Sequence, residues 1–322
     1  MPTRRWTFAV LLTLMASAAV NDGQQPQPSI SGIVVDINAG FIPGATIRLS
    51  TGDAPPLATT VTNARGAYSF PPLAAGTYRV EFSLQGFRTV TCADVLVKDG
   101  AAAVVSTFLE IAALHTADGD APGPSAATTA EPEPAASMIC LGSGEVPVFM
   151  GARAGDDDFY LVIVVDTVKA PKTSASFLRS AAAKAYDRGQ LARVPVPVTR
   201  TASGPPRDVA TSPSVIEGRT DPKFTGPPPT PLPLESTIAT GLRHRTGTIS
   251  MARGESADSG AANFIVLLAD DPSFDAGGRR YADRLGAAAF GRVVRGLDGL
   301  RKLGSTPASI SSARVMEPFI KR

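Results

Sequence analysis

Histidine and cysteine are scarce, with two of each in 322 residues. Neither His115 nor His244 is spaced near a cysteine pair, so no zinc-binding pattern exists and no metal or other cofactor is expected. Charge of one sign is missing too. The 31 Lys and Arg against 29 Asp and Glu leave a net charge of +2, scattered along the chain, which gives no electrostatic footprint for nucleic acid. Beyond the first residues no apolar run approaches the roughly 20 residues that a spanning helix needs, so no membrane span is expected. What the chain has in quantity is turn formers, 30 Gly and 28 Pro, which favour a mainly β protein over helical bundles. Its length exceeds one ordinary core and suggests two folded units.

The first 18 residues read as a signal peptide. Arg4 and Arg5 form a basic start, Phe8 to Met15 a short apolar core, and Ala16, Ser17 and Ala18 offer the small residues a signal peptidase needs. Export to the periplasm or the extracellular space is the expected fate. The arginine pair also fits a twin-arginine signal, although a basic pair before an apolar core is ordinary. An oxidising compartment would permit a bridge between Cys92 and Cys140, and geometry, not sequence, decides whether it forms.

Residues 29–111 carry short strands separated by turn residues. Ile33 to Val35, Thr46 to Ser50, Tyr68 to Phe70, Gly76 to Leu84, Val95 to Val97 and Val104 to Ile111 are the candidates, with Tyr78, Val80, Phe82 and Leu84 on one face. This is the pattern of a small antiparallel sandwich. Tyr68 and Tyr78 read as core or cross-strand residues and not as a sugar-binding stripe. Gly32, Asp36, Pro43-Gly44-Ala45, Asn63 to Gly66, Leu73, Gly76-Thr77-Tyr78 and Gly86-Phe87 together resemble the carboxypeptidase regulatory-like domain. That resemblance implies a transthyretin-like β-sandwich without chemistry, used for attachment or spacing.

Residues 112–145 are rich in Ala, Pro, Thr and acidic residues up to about 137, and they bury too little apolar surface to order themselves. They read as a flexible linker, with His115 as a solvated residue, so two independent units on a tether are expected.

The second unit is expected over residues 146–310. Val146 to Met150 is a strand with Pro147 at its beginning or at a sheet edge. Phe159 to Val165 is a second strand, entered by Asp156 to Asp158, a hairpin turn that lacks the alternate spacing and glycine of a calcium loop. Ala170 to about Ala185 forms a helix with Pro171 in its first turn. Later come Thr240 to Arg253 (TGLRHRTGTISMAR), an apolar run from Asn263 to Leu268, and Phe290 to Val293 (FGRV). In this order, with Ala170 to Thr173 (APKT) and Tyr186-Asp187 upstream, these segments resemble a cyclophilin-type peptidyl-prolyl isomerase. The resemblance implies a closed β-barrel capped by two helices, acting on proline-containing segments of exported proteins.

An X-Pro bond turns slowly, with a barrier of about 18 to 20 kcal/mol. Catalysis needs no nucleophile or metal, only an apolar hollow for the proline ring, groups that hold the flanking backbone, and a donor aimed at the twisted amide. By resemblance Arg193, in Leu191-Ala192-Arg193, is that donor. Val215, Ile265 and Phe274 then line the hollow, while Glu217, Ala252, Arg253 and Asn263 hold substrate backbone. Glu217 stands in place of a glutamine and would pair with Arg193. Ser214 and Ile265 replace phenylalanines, Asn263 is one methylene short, and Ala287 falls where a histidine or aromatic residue is usual. Reduced activity is therefore expected, the alternatives being a non-catalytic binder of proline-containing segments and a purely structural module. His244, with no nucleophile motif beside it, reads as a loop residue.

Overall fold

The computed structural model describes residues 28–36, 40–112, 139–194 and 215–316. The expected signal peptide, His115, most of the expected linker and Ser214 lie outside the described residues.

The first unit is a sandwich of two sheets. One holds β2 (Thr46–Ser50), β3 (Ala58–Val61), β5 (Gly76–Ser83) and β6 (Val90–Val97), in the order β3-β2-β5-β6. Alternation works here as the pattern predicts: Ile47 sits opposite Phe82 and Leu49 opposite Val80 on the buried side, while Arg48 and Glu81 pair at 2.9 Å on the open side. The other sheet holds β1 (Ser29–Asp36), β4 (Ala67–Ser69), β7 (Ala102–Val104), β8 (Ser106–Leu109) and β9 (Cys140–Leu141). It is not purely antiparallel as expected, because β7 and β8 both run parallel to β1. Tyr68 and Tyr78 are core residues whose hydroxyls donate to the carbonyls of Val105 and Ala74 at 2.7 and 2.9 Å.

Cys92 on β6 and Cys140 on β9 form a disulfide, which ties one sheet to the other. The sequence left this open. The bridge also shortens the expected linker, since Ile139 to Leu141 belong to the sandwich.

The second unit is a closed barrel. Its strands are β10 (Glu145–Ala154), β11 (Asp157–Asp166), β12 (Gln190–Val194), β13 (Val215–Arg219), β14 (Thr248–Met251), β15 (Phe264–Leu267), β16 (Ala288–Arg295) and β17 (Ala308–Val315). They close in the order β10-β11-β16-β14-β15-β13-β12-β17. The last strand runs past residue 310, where the unit was expected to end. α1 (Pro171–Ala182) closes one end, with Phe177 packed among Tyr186, Phe264 and Phe290 at centroid distances of 5.2 to 5.5 Å. No side chain caps α1 from its own N-cap. Glu235 does so from a distance, accepting from the Thr173 amide and hydroxyl at 2.7 Å each, where a carboxylate also meets the positive end of the helix. α2 (Thr237–Thr240) is a single turn and α3 (Leu297–Lys302) lies between β16 and β17.

The two units are not independent. On β11, Leu161, Ile163 and Val165 point into the barrel, and the alternate residues Val162 and Val164 point out, yet both sets are buried. Val35, Phe108, Ile139 and Leu141 of the sandwich cover Val162, Val164 and Met316. Glu110 and Arg295 pair across the same boundary at 2.8 Å. The unbroken apolar run on β11 follows from burial on two faces.

Candidate functional site

The site expected from the sequence lies on the outer face of β13 and β15. Gly218 makes room for the Phe264 ring opposite it, because a Cβ there would stand 2.1 Å from that ring. The strands pair with Val215 opposite Leu267 and Glu217 opposite Ile265. Their inward residues, Ile216, Phe264 and Val266, join the barrel core. Their outward residues Val215, Ile265 and Leu267 form a second cluster with Phe274 and Ala287, against which Val194, Ala252 and Tyr281 pack. Val215, Ile265 and Phe274 are thus brought together, with Ala252 packed against them. All three side chains are covered, each under 9% exposed.

Arg193 is not part of this group. On β12 the register sets Val194 opposite Val215, Arg193 opposite Ile216 and Ala192 opposite Glu217. Side chains alternate along a strand, so Val194 shares the outer face while Arg193 shares the side of Ile216. The guanidinium reaches the end of α3, where Nε donates to the Leu303 carbonyl at 2.9 Å and Nη2 to the Arg301 carbonyl at 2.8 Å. These are carbonyls that the helix end leaves open, and a cation there also meets the negative end of the helix. The expected donor therefore serves the barrel's closure in this structure. Glu217 also has another partner: it accepts from Arg219 at 2.6 Å, two residues along the same face.

Arg253 and Asn263 are likewise engaged within the chain. The Asn263 backbone carbonyl accepts from Ala252 at 2.8 Å, and its Oδ1 accepts from the Thr220 amide at 3.4 Å. The Arg253 side chain is buried: it forms two bonds to Asp283 at 2.7 and 2.9 Å and donates from Nε to the Gly286 carbonyl at 2.7 Å. Its guanidinium lies 3.7 Å from the centre of the Tyr281 ring. This pairing holds the Asp283 carboxyl below the usual range, Arg253 being the main cause.

Behind Phe274 lies a group that the sequence reading missed. His244 is 1% exposed, with Nδ1 2.7 Å from Asp275 Oδ1 and Nε2 3.0 Å from Ser250 Oγ. A carboxylate only accepts, so Nδ1 carries the proton and Nε2 accepts from the serine hydroxyl. Burial pushes the imidazole below its ordinary value, and Asp275 opposes that shift. The arrangement has the order of an acyl-transfer triad. With Ser250 fully buried, no substrate carbonyl can reach it. Its visible effect is to anchor Phe274, whose ring lies 5.6 Å from the imidazole. His244 is a loop residue, as expected, but a buried one that acts as an anchor. The alternation of Thr248 and Ser250 with Ile249 and Met251 was the available signal, because it puts two hydroxyls on one face of a strand.

Residues 155–321 match the family model described as cyclophilin type peptidyl-prolyl cis-trans isomerase/CLD. The chain belongs to the cyclophilin family. Residues 29–110 match the carboxypeptidase regulatory-like domain. The cyclophilin match begins after β10, which nonetheless completes the barrel by pairing with β11 and β17. The chain is 32% identical over 99 residues to peptidyl-prolyl cis-trans isomerase A of Dickeya dadantii, covering 26% of this chain and 50% of that protein. It is 34% identical over 80 residues to a peptidyl-prolyl cis-trans isomerase of Acinetobacter baylyi, covering 25% of this chain and 40% of that one. The chain thus spans half the length or less of these two relatives. A solved structure of a Cryptosporidium parvum cyclophilin type isomerase, in the presence of the dipeptide Ala-Pro, covers 52% of this chain and 96% of that one at 17% identity and a TM-score of 0.37.

Proposed function

We propose that this protein is an exported peptidyl-prolyl isomerase of reduced activity that acts on X-Pro bonds of exported chains. The observation that carries the reading is the cyclophilin match over the barrel, on whose outer face Val215, Ile265 and Phe274 assemble into one apolar cluster. A proline ring needs such a surface, and the twisted amide needs little else beyond a donor. The reduced rate is supported by the covered state of that cluster and by the engagement of Arg193 at α3. Export is supported by the residue pattern at 1–18 and by the Cys92–Cys140 bridge, which an oxidising compartment sustains.

A second reading, a non-catalytic binder of proline-containing segments, is favoured by one observation: the arginine expected to act as donor faces away from the cluster. Isomerisation of an Ala-Pro peptide by the full chain separates the two. The isomerase reading expects acceleration over the uncatalysed rate, changed less than twofold by Arg193→Ala once the variant is confirmed folded. Binding without acceleration would favour the second reading. A tenfold loss in Arg193→Ala would show that the guanidinium leaves α3 to act at the amide.

A further inference from the structure

The segment from Phe274 to Ala287 leaves the barrel wall and returns to it, closed at its base by the Ala287 amide donating to the Phe274 carbonyl at 2.9 Å. Internal bonds brace it. The Gly277 amide donates to the Arg284 carbonyl at 2.7 Å, and the Arg284 amide to the Tyr281 carbonyl at 3.0 Å. Residues 282–285 at the far side of the loop are exposed, while Tyr281 is partly buried and turns back onto the cluster of Val215, Ile265, Leu267, Phe274 and Ala287. Its ring meets Phe274 edge-on, with centroids 6.4 Å apart and planes at 78°.

The Tyr281 ring also carries the Arg253 guanidinium on one face. Arg253 is in turn fixed to the returning end of the loop, by Asp283 and by the Gly286 carbonyl. A buried guanidinium with a two-point carboxylate partner and an aromatic face under it is far better held than an exposed ion pair. Arg280 adds a second cation on the same loop, 5.0 Å from the Phe274 ring centre. One aromatic ring is therefore pressed against the apolar cluster, and a clamp holds it there.

We propose that Tyr281 occupies the place a proline ring would take, and that the Arg253–Asp283 clamp latches it there, so that peptide binding requires this loop to open. The inference rests on the peptide-site reading above and adds the gate to it. A ligand that binds only the open form is weakened in proportion to how rarely that form occurs, and a change that favours opening restores the affinity.

The test uses the full chain and a fluorescein-labelled peptide containing Ala-Pro, with affinity read by fluorescence polarisation. Tyr281→Ala should bind about tenfold more tightly than the parent. Asp283→Asn, which leaves the ring and the packing in place but weakens the clamp, should bind about threefold more tightly, and it keeps the test valid if the first variant folds poorly. Adding peptide to the parent should speed amide hydrogen exchange at Gly277 and Arg284. Equal or weaker affinity in both variants, with measurable binding by the parent, overturns the latch while leaving the peptide site intact. Binding by neither the parent nor any variant overturns the peptide-site reading, and the latch with it.

Discussion

The barrel buries apolar residues on its outer surface at two places, and they are covered in different ways. Val162 and Val164 on β11 lie under the sandwich, which is a separate unit of the chain. Val215 and Ile265 on β13 and β15 pack with Phe274 and Tyr281 of the barrel's own loop. The first cover is broad, includes Phe108 and Leu141, and comes from a unit stapled by a disulfide. The second is narrower, two rings of one loop and an ion pair in which Arg253 is buried and Asp283 lies at the surface. Equivalent chemistry on the barrel wall thus yields a broad joint in one place and, on the proposed latch, a contact that parts in the other. The difference lies in how much must move to expose the surface.

Breaking the broad joint should have the largest effects. Cys92 and Cys140 are 48 residues apart, and the chain-entropy estimate for a loop of that length is about 4 kcal/mol. Cys92→Ser with Cys140→Ser should lower the stability of the sandwich by about 2 to 4 kcal/mol in urea titration. The barrel should respond less, because its strands pair independently of the bridge. Phe108→Ala should cost about 3 kcal/mol through lost burial and the cavity left behind. If the joint is as described, hydrogen exchange in Phe108→Ala should rise on β11 as well as on β8. An effect confined to the sandwich would mean that the two units do not share a core.

A smaller effect concerns the anchor beneath the second contact. The folded state holds His244 neutral, with its proton affinity reduced mainly by burial. For a base whose folded value is depressed, the unfolded chain binds the proton first as pH falls. The His244 contribution should be undiminished above about pH 6.5 and should decline as pH drops below it, towards the lower folded value. Asp283 acts in a lower window, its depressed carboxyl keeping the clamp intact until pH falls below the ordinary range of about 3.9. Unfolding curves from pH 7 to pH 5 should show the His244 slope in the parent and lose it in His244→Gln. A slope that persists in the variant would assign it to another group.

Much of the fold was legible because alternation and turn residues mark strands locally. Tyr78, Val80 and Phe82 on one face of β5 are an example, as are the apolar runs that became β11 and β15. Docking of the two units was legible only in principle. The run from Leu161 to Val165 is apolar on both faces, and a barrel strand facing water would have alternated. The face on which Arg193 lies was not legible for a related reason. Counting from Tyr186 sets a position along the chain, but the strand's face depends on pairing with β13, and one residue of register reverses it. Tyr281 and Asp283 sit in a loop without periodicity, so only the fold could bring them to Arg253.

On the proposed reading, the ligand-facing side of the barrel bears Val215, Ile265 and Tyr281, and Arg193 belongs to the other. Titration of the isotope-labelled full chain with an Ala-Pro peptide, followed by NMR, tests this most directly. The account predicts shifts in the Val215 and Ile265 methyl signals and the Tyr281 ring signals, with the Arg193 Nε–H signal unmoved in its bond to Leu303. Movement of the Arg193 signal while Tyr281 and Val215 stay still would contradict it.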